Sequence, residues 1–65
     1  MIEITADTVE PILVWIHKAI KESEEYCKKH DEYVDPQLYR TRQILEDINY
    51  GIIDKAIFPA DYIGY

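Results

Sequence analysis

The chain has 65 residues and a mass of 7.7 kDa, with 13 acidic and 7 basic residues, a formal charge of −6 and an isoelectric point near 4.6. A protein of this mass keeps roughly 4,300 Å² accessible when folded against about 11,000 Å² unfolded, which allows one domain with a shallow core. The negative field excludes direct attraction to a nucleic-acid backbone or an anionic membrane and favours basic protein surfaces. The single cysteine, Cys27, cannot form an internal disulfide, which suits a reducing compartment. MIEITADTVEP has early acids and no basic stretch leading into an apolar run, and the longest apolar run is residues 12–16. The expectation is a soluble, cytoplasmic protein with no membrane association.

MIEIT alternates Ile2 and Ile4 with Glu3 and Thr5, an extended pattern too brief to stand alone as a strand and suited to an apolar arm docked on helices. Asp7 and Glu10 have the spacing of a capping box, Thr8 offers a second cap oxygen, and Pro11 fits a first helical turn. Helix one is therefore expected over residues 9–30. Ile12, Ile16, Ala19, Ile20 and Cys27 fall on one stripe, flanked by Leu13 on one side and by Trp15 and Tyr26 on the other. The opposite face carries His17 and alternating lysines and glutamates, including Lys18–Glu22, Lys21–Glu25, Glu24–Lys28 and Glu25–Lys29 at four-residue spacing. The apolar face spans nearly half the helix, more than one antiparallel neighbour covers.

The segment HDEYVDPQL reads as a connection over residues 31–35 followed by helix two, because Asp35 before Pro36 is a cap residue preceding proline at the first helical position. Leu38, Thr41, Leu45, Ile48 and Ile52 recur at intervals of three and four with Ile44 alongside, the pattern of a packing seam. Gly51 interrupts this run, so helix two ends near residue 50 or continues to 58; the phase of Ile48, Ile52 and Ala56 favours continuation. The tail at 59–65 is turn-like and aromatic, with Tyr62, Ile63 and Tyr65.

Candidate chemistry is thin. Cys27 and His30 sit one turn apart, but a metal needs three or four converging ligands, and the blander assignment is a core-edge thiol and a helix-terminal imidazole. A helix C-terminus also disfavours a thiolate nucleophile. No glycine-rich phosphate loop is available, since the only glycines are Gly51 and Gly64. A two-helix core leaves almost no room for a pocket of several hundred Å³ in which a carboxylate pair would work as acid and base. These features argue against an enzyme and against a resident metal or cofactor.

The expected fold is all-α, an antiparallel helical hairpin with or without a short third helix after Gly51, forming a single domain over 1–65 and completing a helical bundle as a homo-oligomer. The expected function is non-enzymatic protein–protein interaction. Trp15, Tyr26, Tyr39, Ile44, Ile48, Ile52 and Tyr62 are the candidate contact residues, because large apolar and amphipathic side chains at the margin of a packed face supply interface anchors. Asp31, Glu32, Asp35, Glu46, Asp47 and Asp54 are the candidate acidic patch for a basic partner. The alternative use of that patch is imitation of DNA in the groove of a nucleic-acid-binding protein; a small metal-binding protein built on Cys27 and His30 is the weaker alternative.

Overall fold

The computed structural model describes residues 1–59, in the order β1 (Ile2–Thr5), α1 (Val9–His30), α2 (Pro36–Asn49) and β2 (Lys55–Phe58). The two helices form a hairpin whose contacts run in opposite order. Tyr39 near the start of α2 reaches Glu24 late in α1, and Glu46 near the end of α2 meets His17 early in α1. The hairpin is closed by a two-stranded antiparallel sheet of β1 and β2, so the fold is not all-α.

The N-terminal alternation of Ile2 and Ile4 becomes a strand because it has a partner. Ile2 lies opposite Phe58, Glu3 opposite Ile57, Ile4 opposite Ala56 and Thr5 opposite Lys55. Period-two alternation turns Ile2, Ile4, Ala56 and Phe58 toward the helices, where Ile4 and Phe58 are buried. Glu3, Lys55 and Ile57 face outward, and Lys55 Nζ lies 3.6 Å from Glu3 Oε2.

Helix α1 starts after Thr8, but neither candidate cap works as a side-chain cap: the Thr8 hydroxyl turns back to accept from the Thr5 amide at 3.0 Å. Its C-terminus is closed by Asp31 in the left-handed region at φ 55°, whose backbone position directs the chain out of the helix. Asp35 caps α2 as its sequence position implies, with Oδ1 accepting from the Gln37 amide at 3.0 Å and Pro36 in the first helical position. The core between these elements is Val9, Ile12, Ile16 and Ile20 from α1, Leu45 and Ile48 from α2, and Ile4 and Phe58 from the sheet; Leu13, Trp15, Leu38, Tyr39 and Ile44 pack against its margin.

Continuation of helix two through residue 58 does not occur, and no third helix follows Gly51 among the described residues. Gly51 adopts φ 77°, and its amide and those of Ile52 and Ile53 donate to the carbonyls of Ile48 and Asp47 at 3.2, 2.8 and 3.3 Å. Those bonds satisfy the last carbonyls of α2 and end it. The in-phase spacing of Ile48 and Ile52 is therefore coincidental: Ile52 leaves the seam and is 69% exposed. A Cβ at position 51 meets nothing within 4 Å, so only the backbone conformation demands glycine there. Gly51→Ala is expected to destabilise the fold by about 1–2 kcal/mol, the cost of a left-handed L-residue, with a smaller loss for Gly51→Asn. Urea unfolding midpoints of the two variants check this order.

Candidate interaction surface

The polar face between the helices is organised by cross-helix contacts rather than by the four-residue pairs along α1. None of those four pairs forms an ion pair among the described residues, where the ion pairs are His17–Glu46, Arg42–Glu46 and Lys55–Glu3. Glu24 instead accepts a hydrogen bond from the Tyr39 hydroxyl at 3.0 Å, and the Arg42 guanidinium lies 5.5 Å from the centre of the Tyr39 ring. Arg42 Nε and His17 Nε2 each lie 3.8 Å from Glu46 Oε1. The Glu24–Tyr39–Arg42–Glu46–His17 chain of contacts runs along one side of the hairpin, whose register is held by the isoleucine and leucine core.

The expected contact residues have different fates. Ile48 is 1% exposed and belongs to the core, so it cannot touch a partner without unfolding. Trp15 and Ile44 are half-buried at the core margin. Tyr39 is half-buried and committed to Glu24. Tyr26 is exposed and stacked on His30, with ring centroids 4.1 Å apart. Ile52 is exposed on the Gly51 turn, and Tyr62 lies outside the described residues. Composition and periodicity did not single out Tyr50, Ile53 and Ile57, which are 72%, 36% and 57% exposed and extend the apolar surface beside Ile52 along the chain. The signal for them was Gly51, once read as a helix end.

The acidic candidates do not form one patch. Asp31, Glu32 and Asp35 are exposed in the connection between the helices, whereas Glu46, Asp47 and Asp54 lie at the far end of α2. The eleven residues from Asp35 to Glu46 separate the two groups by roughly 16 Å of helix rise. Glu46 Oε1 also lies 3.8 Å from the Arg42 guanidinium, and Asp47 Oδ1 accepts from Gln43 Nε2 at 3.0 Å. The Cys27 and His30 pair gains no further ligand: among the described residues no group of three or more His, Cys, Asp or Glu converges as a metal site would require.

The hairpin's connecting end does hold concave surface of several hundred Å³, contrary to the expectation from core size. The troughs are open and superficial, formed where the connection folds against the helices. One, of about 410 Å³, brings Ala19, Tyr26, Cys27 and Leu38 together with Glu22, Glu32 and Asp35. The other, of about 440 Å³, lies on the other side of Cys27 and includes Tyr33, Val34 and Tyr39. No described helix is long and apolar enough to cross a membrane. Comparison with protein-family models, curated proteins and solved structures finds no match.

The hydrogen bond from Tyr39 to Glu24 pushes the Tyr39 phenol above its ordinary value of 10.0, because ionising it would place two negative oxygens in contact. A phenol whose folded pKa is raised contributes stability that is complete below its unfolded pKa and is lost as pH rises through the folded one. The tyrosinate absorbance difference between wild type and Tyr39→Phe isolates this group, and it is expected to titrate above pH 10.0. Glu24→Gln is expected to move it back toward that value.

Proposed function

We propose that the chain is a small non-enzymatic interaction module that self-associates through the Gly51 end of the hairpin and presents its remaining acidic surface to a basic protein. The observation that supports this reading is Ile52, held by a backbone hydrogen bond of 2.8 Å to the Asp47 carbonyl and yet 69% exposed. An exposed isoleucine on a mobile loop has little meaning; one fixed in place with Tyr50, Ile53 and Ile57 nearby in the chain is a preorganised apolar surface.

Charge favours this end for contact between copies. Two molecules of charge −6 repel, so at this end association is cheapest through the uncharged turn, with Asp47 and Asp54 on either side of it making the contact salt-sensitive. Residues 48–53 read INYGII and carry no charge, between Asp47 and Asp54. The divided carboxylates support local contacts with a basic protein better than a continuous imitation of a nucleic-acid backbone.

Sedimentation equilibrium over micromolar concentrations tests the self-association. The expected result is a species heavier than 7.7 kDa that persists or strengthens as added salt screens the repulsion. Ile52→Lys is expected to weaken association about ten- to hundredfold, the equivalent of the roughly 1.5–3 kcal/mol for burying an isoleucine. A monomer at all concentrations would remove self-association from the reading.

A further inference from the structure

We infer that the trough lined by Glu22, Glu32 and Asp35 docks a short basic segment of another protein, one in which arginine or lysine alternates with an aliphatic residue. The inference rests on the reading of the chain as an interaction module and assigns its basic partner to one place on the molecule.

Part of its lining is apolar or amphipathic. Ala19, Cys27 and Leu38 lie on the two facing helices, and Tyr26, stacked on His30, also lines it. Such a surface accepts an aliphatic side chain or the methylene stem of a long basic residue. Three carboxylates border the same trough, from α1 (Glu22), the connection (Glu32) and the α2 cap (Asp35), and no lysine, arginine or histidine lines it. Neither Glu22 nor Glu32 is in an ion pair among the described residues, although Lys18 stands four residues before Glu22. Asp35 commits Oδ1 to the Gln37 amide, so it contributes its charge while its hydrogen bond holds the helix start in place.

Charge complementarity selects the occupant. A neutral apolar peptide would leave three carboxylates facing its backbone with no compensation, and an acidic one would be repelled. A guanidinium or ammonium on an apolar stem matches both the carboxylates and the apolar lining, and arginine can meet a carboxylate through two parallel hydrogen bonds. The neighbouring trough shares Glu32 but is the poorer site for a cation, because Lys28 lines it and its other carboxylate, Glu24, is already engaged by Tyr39.

The test is an amide chemical-shift titration of the ¹⁵N-labelled full chain with the peptide Ac-Arg-Leu-Arg-Leu-Arg-NH2, and with the same peptide carrying glutamine in place of arginine. The arginine peptide is expected to shift Ala19, Glu22, Tyr26, Cys27, Glu32 and Leu38 together, and the glutamine peptide to leave them in place. The double variant Glu22→Gln/Glu32→Gln, with an unchanged circular dichroism spectrum, is expected to weaken binding at least tenfold. Equal binding by the double variant, equal shifts with the glutamine peptide, or no shift at millimolar peptide would overturn the inference. Shifts centred on Glu46, Asp47 and Asp54 would also overturn it while leaving a basic partner in place. Self-association is read separately by Ile52→Lys, which is expected to leave the peptide titration unchanged.

Discussion

The two helices differ in length, 22 residues against 14, and the antiparallel sheet covers what the shorter helix leaves bare. With His17 opposite Glu46, α2 reaches its end before the first turns of α1 are covered. Val9 and Ile12 lie in that overhang, and a two-helix structure would leave them in water. They are nevertheless 1% and 2% exposed, in one cluster with Ile4 and Phe58. The pairing of β1 with β2 therefore completes the core and holds the two ends of the described chain together. It also requires the chain to reverse after Asn49, which makes the left-handed Gly51 a structural requirement. An isolated two-stranded ribbon is at best marginally stable, so helices and sheet depend on each other.

Local signals in the sequence specified the parts of the fold that local chemistry decides. The Asp35–Pro36 start of α2, the connection before it and the isoleucine stripe of α1 each follow from residues within a few positions of one another. The sheet does not. Residues 55–58 read KAIF, which carries no strong strand signal, and their partner is more than fifty positions away. The competing inference, that Ile48, Ile52 and Ala56 continue one helical face, used the same spacing that identified α2 correctly up to Ile48. Periodicity cannot distinguish a helix crossing a glycine from one ending there; the decision is made by the long-range pairing of Lys55–Phe58 with Ile2–Thr5.

The surface was legible to a similar degree. Tyr26, Glu32, Asp35 and Ile52 stand out by residue type and are all exposed in the structure. Which of them lie together was not legible, because Glu22 and Leu38 join Tyr26 and Asp35 only through the hairpin's register. Ile48 shows the opposite failure. A seam residue and a contact residue look alike in a short sequence, and the sheet's added burial places Ile48 in the core.

The resulting molecule is polarised along the helix axes. The fourteen residues of α2 place roughly 21 Å between the carboxylate-rimmed connection and the uncharged Gly51 turn. That distance exceeds two Debye lengths at physiological ionic strength, so a charge at one end has little electrostatic influence on the other. The polar ladder of Glu24, Tyr39, Arg42, Glu46 and His17 spans part of the interval. Within it Arg42 is the permanent cation beside Glu46, whereas Glu22, Glu32 and Asp35 at the connection are in no ion pair among the described residues. The two ends of the described hairpin thus differ chemically, with carboxylates beside open troughs at the connection and exposed uncharged side chains at the Gly51 turn.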